Sequence, residues 1–276
     1  MGVLNVTPDS FSDGGLFYYR AKALEKSLAM ADEGADIIDV GGESTRPGSE
    51  PVSAEKEKDR VIPVISRLRK KTNVLISIDT TKTEVAKAAL DEGADILNDI
   101  SACRFDPSII SLVAQRKVPV ILMHMKGTPK TMQTNPYYEN IFSEIKEFFE
   151  ERISTVLSHG ISKKSILVDP GIGFGKRFQD NLDLIQNLQF LNELNCPIMV
   201  GTSRKSFLGQ ILNLPPQERV EGTIASSILS ILHGAHILRV HDVRAVKRAI
   251  QVAEAIINHR SGSGPLNSKL KGDYAS

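Results

Sequence analysis

The 276-residue chain carries 34 Lys and Arg against 33 Asp and Glu, a formal net charge of +1, and 41% of its residues are hydrophobic. That balance provides no field to gather nucleic acid or an anionic membrane surface. No apolar run reaches the length of a membrane span, and the amino terminus lacks the basic-then-apolar order of a secretory signal. Cys103 and Cys196 are too few for a disulfide framework and indicate a reducing compartment, so a cytoplasmic globular protein is expected.

Taken in order, the chain opens on a short strand, Met1 to Val6, followed by a polar, turn-rich loop over 7–15. A helical pattern from about Arg20 to Glu33 stops at Gly34, and a second strand covers Asp36 to Val40. A second long, glycine-rich loop spans 41–52, before an amphipathic helix from about Ser53 to Lys70. The same period then repeats. Strands are read at Val74 to Asp79, Asp95 to Asp99, Val118 to Met123, Ser165 to Val168, Pro197 to Gly201 and His236 to Val240. Helices are read at Lys82 to Glu92, Pro107 to Arg116, Glu139 to His159, Asn181 to Leu194, Gln217 to His233 and Val243 to His259. The phrase Glu-Gly-Ala-Asp, at 33–36 and 92–95, marks the same helix-to-strand turn twice. From Arg260 onward a Ser/Gly/Pro-rich polar end reads as a disordered tail over 260–276.

Strict alternation of strands with helices argues for a parallel sheet. An open doubly wound sheet is the alternative, but it gives no reason for eight units. Eight strands and eight helical segments in residues 1–259 match a single-domain (β/α)₈ TIM barrel, for which about 250 residues is typical. Such barrels place their chemistry at the carboxyl ends of the strands. Those ends read Asn5, Asp39, Asp79, Asn98, Met123 with His124, Asp169, Ser203-Arg204-Lys205, and Arg239 with His241. Asp169 is followed by Pro170 and by glycines at 171, 173 and 175, a strand end leading into a tight loop. A lone Asp-Pro-Gly is more often a solvated turn; recurrence of the pattern at strand after strand changes that balance. The glycine spacing matches neither common phosphate-loop motif.

A carboxylate buried at a barrel mouth is costly unless it meets donors. A flat heterocycle with adjacent N–H and NH₂ groups would satisfy one in bidentate fashion, and Asn98 offers a donor and an acceptor for a ring edge. The alternative for Asp79 is a metal or ribose ligand, or an acid supporting another group. Arg46, Arg239 and His241, joined by Asn5, form a basic side suited to a phosphate, although an ion pair with a barrel acid is the plainer reading of Arg239. Asn5 or Asp39 could help to hold Mg²⁺. The loops over 7–15 and 41–52, carrying Phe11, Thr45, Arg46 and Pro47, are long enough to act as lids. Neither cysteine sits in a nucleophile context.

Together these motifs resemble the dihydropteroate synthase family. Asn5-Val6-Thr7-Pro8-Asp9-Ser10-Phe11-Ser12-Asp13-Gly14-Gly15 is similar to the family's first signature, and Asp39-Val40-Gly41-Gly42-Glu43-Ser44-Thr45-Arg46-Pro47-Gly48 to its second. Ile78-Asp79-Thr80, Asn98-Asp99, Met123-His124-Met125, Asp169 to Lys176, Gly201 to Ser206 and Arg239 to Val243 follow in the family's order. The resemblance implies a (β/α)₈ enzyme that joins 6-hydroxymethyl-7,8-dihydropterin pyrophosphate to 4-aminobenzoate, giving 7,8-dihydropteroate and pyrophosphate, with Mg²⁺. It implies pterin contacts from Asp79, Asn98, Met123, Asp169 and Lys205. It implies pyrophosphate contacts from Asn5, Arg46, Arg239 and His241, with Asn5 contributing to the metal. Phe11, Thr45, Pro47, Phe174, Lys205 and Ser206 would shape the aminobenzoate pocket, where sulfonamides compete. Arg46, Lys205, Arg239 and His241 would then act on the reaction itself, which the charge map casts as a dissociative substitution.

The resemblance further implies a homodimer. Because the chain starts directly at its first strand, a truncated start or a fusion to the preceding pathway kinase in a longer polypeptide is also expected. Two rivals are a pterin-binding methyltransferase domain and a non-catalytic pterin-binding paralogue. The first has no use for Thr45-Arg46-Pro47 or for Ser203 to Ser206, and the second would have lost a lid or anion residue.

Overall fold

The structure, a computed structural model, describes residues 1–7, 16–46 and 48–259. Phe11, Pro47, most of the first loop and the 260–276 tail therefore lie outside the described residues. Among the described residues, eight parallel strands alternate with helices. They are β1 (Gly2–Asn5), β2 (Ile37–Gly41), β3 (Leu75–Asp79), β4 (Ile96–Asp99), β5 (Val120–Met123), β6 (Ile166–Asp169), β7 (Met199–Val200) and β8 (Ile237–Leu238). The helices are α1 (Leu16–Asp32), α2 (Ala54–Arg69), α3 (Thr83–Asp91), α4 (Ser108–Arg116), α5 (Ile141–Ser158), α6 (Phe178–Gln186), α7 (Ser206–Leu212), α8 (Val220–Leu232) and α9 (Val243–His259).

β1 to β6 pair in sequence order, and β7 pairs with β8. The two sheets join into one ring through Val168 N–H to Pro197 C=O (3.0 Å) on one side. On the other, Val240 N–H donates to Met1 C=O and Val3 N–H to Val240 C=O, both at 2.9 Å. The expected (β/α)₈ barrel is therefore closed by hydrogen bonds between every neighbouring pair of strands.

Period-two alternation sorts each strand between two cores. Ile38, Val40, Ile76, Ile78, Leu97, Val120, Leu122, Val168 and Val200 face the helical shell within the main hydrophobic cluster. The opposite face of the strands points into the ring, where Ile37, Ile96, Ile121 and Met199, with Met1, Leu167 and Ile237, pack into a separate apolar floor. Two residues further along each of these strands, the inward position is Asp39, Asn98, Met123, Gly201, Val3, Asp169 or Arg239. The barrel thus has a greasy plug below and a polar layer at the mouth. Burying a side chain such as Ile121 fully contributes about 1.5–3 kcal/mol, so the floor is a substantial anchor.

Gly34, read as a helix stop, and the glycines that follow three later helices, at 93, 160 and 234, all take positive φ, between 86° and 111°. Two expectations need correcting. The pattern from Asn181 to Leu194 is not one helix: α6 ends at Gln186, where the Asn187 side chain donates to the Asp183 carbonyl (2.9 Å), and a 3₁₀ stretch follows from Leu188 to Leu194. An additional helix, α7, stands after β7; it escaped notice because it is short and ends within seven residues at Asn213, in the left-handed region.

Candidate active site

Strand register aligns the mouth. Asn5 pairs with Gly41, Gly41 with Asp79, and Asp79 with Asn98, which puts four strand ends in one lateral row. Met123 pairs with Asp169 across the next pair of strands.

Arg239 occupies the centre. Its Nε donates to Asp39 Oδ2 and its Nη2 to Asp79 Oδ2, both at 2.7 Å. Asn98 Nδ2 donates to the same Asp39 oxygen at 3.1 Å. Burial works to lower the Arg239 guanidinium, but Asp39 and Asp79 overcome it and hold it firmly protonated. Burial lifts the Asp79 carboxyl to about 7, against the pull of Arg239 and with the push of Asp39. The plainer reading of Arg239, an ion pair with barrel acids, is therefore what the site contains. Asp39 Oδ1 and Asn98 Oδ1 are buried with no donor among the described residues. Leaving such acceptors unpaired costs about 1–3 kcal/mol each, so they favour a ligand rich in N–H groups.

Asp169 is 4% exposed, and its Oδ1 accepts the Gly171 N–H at 2.7 Å. Its Oδ2 has no hydrogen-bond partner among the described residues, and, unlike Asp39 and Asp79, Asp169 gives neither oxygen to Arg239. Burial raises its pKa, opposed by the Gly171 N–H and the Lys205 ammonium. Gly171 has φ +68°, and a Cβ there would fall 2.0 Å from the His124 carbonyl oxygen, so only glycine lets the loop turn against the end of β5.

Beside Asp169 stands an apolar wall of Ile100, Met123, Met125, Met132 and Phe174. The Lys205 ammonium lies 3.9 Å from the centre of the Phe174 ring, within cation–π range. Burial and the nearby Arg239 bring Lys205 down to about 8. His241, at the end of β8, meets Ser203 Oγ through Nδ1 at 3.0 Å. Burial and Arg239 depress His241 to about 3, so it is a neutral hydrogen-bonding group rather than a cation.

Of the remaining expected residues, Thr45 is half-buried, while Arg46 and Ser206 are exposed. No contact brings the Arg46 side chain to Arg239 or His241 among the described residues. Asn5 is half-buried at the rim, beside Gly41. Sequence reasoning missed a buried pair under the Asp169 loop. Lys176 Nζ donates to Phe174 C=O (3.1 Å) and meets His124 Nδ1 (3.0 Å), tying that loop to the end of β5. Burial brings Lys176 to about 7 and holds His124 well below its ordinary value. The available signal was a lysine closing the Gly-x-Gly-x-Gly run, where a solvated loop would need no cation.

Three comparisons bear on this arrangement. The model of the family described as pterin binding enzyme matches residues 1–241. The dihydropteroate synthase of Synechocystis sp. is 48% identical over 257 residues, spanning 93% of this chain and 89% of that protein. Among solved structures, Yersinia pestis dihydropteroate synthase with a sulfonamide drug superposes with a TM-score of 0.89 at 44% identity, covering 94% of each chain. Xanthomonas albilineans dihydropteroate synthase in complex with 7,8-dihydropteroate gives 0.85 at 42% identity, covering 93% of this chain and 92% of that one.

Proposed function

The chain belongs to the pterin-binding enzymes, as a dihydropteroate synthase of folate biosynthesis, and we propose that its barrel mouth divides the reaction among the residues described above. The overall chemistry is condensation of 6-hydroxymethyl-7,8-dihydropterin pyrophosphate with 4-aminobenzoate. In the division proposed, Asp169 with Asn98, Asp79, Met123 and Lys205 receives the pterin. Asn5, Arg46, Arg239 and His241 receive the pyrophosphate. Thr45, Pro47, Phe11, Phe174 and Ser206 surround 4-aminobenzoate. Asp39 holds Arg239 in place from below.

The observation that carries this division is the uncommitted Asp169 oxygen beside the Met123–Phe174 wall. A flat ring can lie along that wall and present its N–H edge to the carboxylate. On the opposite side, Arg239 is preorganised and charged, and neutral His241 can donate through whichever ring nitrogen carries its proton. The C–O bond at the pterin's 6-methylene breaks, and its electron pair leaves with pyrophosphate. The resulting cation is delocalised over the pterin and favoured by the Asp79 and Asp169 carboxylates. The arylamine nitrogen then forms the new C–N bond and sheds a proton.

For Mg²⁺, the fitting group is the Asn5 amide oxygen, a hard donor at the rim next to the anion side. Among the described residues no cluster of three His, Cys, Asp or Glu side chains offers a cage, so the donor set suits a cation held by one protein oxygen and by substrate phosphates. When bound, the cation neutralises charge on the departing pyrophosphate. A homodimer in the cytoplasm completes the reading; no described helix is long and apolar enough to cross a membrane.

The deciding experiment is pyrophosphate release from the pterin pyrophosphate with Mg²⁺, with and without 4-aminobenzoate. Release that requires aminobenzoate and matches dihydropteroate formed is the expected outcome. Binding of the pterin without release would overturn the reading.

The acid–base groups also fix a pH profile. Asp79 is neutral below about 7 and anionic above it. Lys205 is cationic below about 8 and neutral above it. Because kcat/KM reports the free enzyme, it should rise through the first value and fall through the second, with a narrow optimum between. Asp79→Asn should remove the acidic limb. A flat profile across both values in the unmodified enzyme would refute the assignment of these two groups.

A further inference from the structure

We propose that Glu43, Lys82 and Glu57 form a clamp that positions the loop over 41–52, and with it Thr45 on the aminobenzoate side and Arg46 on the pyrophosphate side of the mouth. This rests on the division of the site given above. The ammonium of Lys82, which sits just beyond β3, pairs with two carboxylates at once: Glu43 from the loop and Glu57 from the first turn of α2. Glu43 and Lys82 are each 24% exposed and Glu57 only 1%, so this is a shielded triad rather than a solvated surface pair. The Lys82 backbone N–H also donates to Thr80 Oγ1 (3.2 Å), one residue past Asp79. The lysine therefore joins the root of the β2 loop to the strand end that carries a mouth acid.

The loop root has no slack. A Cβ at Gly42 would lie 2.8 Å from Val61 and 2.9 Å from Glu57, so the loop backbone is pressed flat on α2. Arg60 Nη1 donates to the Gly42 carbonyl at 2.7 Å. Beyond that point the ties among the described residues are weaker in kind. Ser49 bonds back within the loop, to the Ser44 and Arg46 carbonyls. Gly48 N–H reaches the Pro129 carbonyl at 3.1 Å, and Glu50 pairs with Lys130 at an exposed site. An exposed pair of that kind contributes roughly 0–1 kcal/mol. Glu43 is thus the shielded side-chain tether nearest to Thr45 and Arg46. The fold of α2 does not depend on it, because Val61, Val64, Ile65 and Leu68 already bury the apolar face of that helix.

Glu43→Ala tests the clamp because it cuts the tether while leaving the buried Glu57–Lys82 pair intact. Two readouts are needed. Hydrogen exchange of the peptide over 41–52, measured without substrates, should speed up in Glu43→Ala and stay near wild type in Lys82→Arg, which keeps both pairings. In steady-state kinetics, KM for 4-aminobenzoate should rise roughly ten- to a hundredfold in Glu43→Ala, KM for the pterin pyrophosphate should rise less, because Arg46 is one of four residues on its anion, and binding of the unphosphorylated pterin should stay within about twofold of wild type. Unchanged exchange over 41–52 would overturn the clamp. So would equal rises in both KM values accompanied by a lower Tm, the pattern of general loosening. Exchange is read without turnover, and wild-type turnover is read without the variant, so failure of the clamp and failure of the reaction assignment are separable.

Discussion

Asp169→Asn is expected to lose pterin binding by roughly 30- to 5,000-fold, the equivalent of about 2–5 kcal/mol for truncating one side of a buried charged contact. The reason lies in the hydrogen bond already in place. Gly171 N–H needs an acceptor, and it takes Oδ1 of the present carboxylate. In the amide, the carbonyl oxygen would stay on Gly171, and the NH₂ group would be forced to where Oδ2 now stands. A donor would then face the N–H edge of the ring. Because the Gly171 bond survives, the variant should fold with a Tm close to that of the parent, which separates a lost contact from a lost structure. Isothermal titration with the unphosphorylated pterin is the direct check. An unchanged dissociation constant would remove Asp169 from the site.

Arg239→Ala should reduce kcat/KM by roughly 10²–10³-fold, the range seen when one preorganised donor to a developing anion is deleted. Binding of unphosphorylated pterin should fall far less, since that ligand carries no leaving group for the guanidinium to hold. The variant also strips Asp39 and Asp79 of their shared cation. Asp79 already titrates near neutrality, so it can take up a proton instead of remaining as an unpaired buried charge. Stability should therefore be recovered in part as pH falls, starting above the parent's value of about 7 because Arg239 no longer pulls Asp79 down. A raised pKa in the folded state favours the protonated form, and the stabilising effect fades as pH rises through that value. Equal losses of turnover and of pterin affinity would argue that Arg239 serves only to neutralise the two acids.

Much of this was legible from residue order alone. The helix-stop glycines, the strand-ending acids and the count of eight units all arise from local chemistry: proline and glycine punctuate, and an acid after a β-branched run marks a strand's polar end. Three things were not legible. The pairing of Arg239 with Asp39 and Asp79 spans 200 and 160 residues of chain, and only the closed ring brings those positions together. The neutrality of His241 is set by burial and by its cationic neighbours, neither of which a motif displays. The Lys176–His124 contact depends on Gly171 passing within touching distance of the β5 end, a three-dimensional coincidence of two loops. Arg46 shows the opposite case. Its motif was clear, yet its side chain is exposed at the rim, with no contact to Arg239 or His241 among the described residues.

The apolar floor beneath the mouth has a mechanical consequence. Ile37, Ile96, Ile121, Leu167, Met199 and Ile237 each stand two residues before an inward mouth position on the same strand. They act as the spokes of a wheel whose rim bears the recognition groups. Widening or narrowing that hub moves Asp39, Asn98, Met123, Asp169 and Arg239 together, with no ligand-touching side chain altered. The aperture is thus an adjustable dimension of the ring, tuned from below, and changes in ligand fit can originate in residues that no ligand reaches.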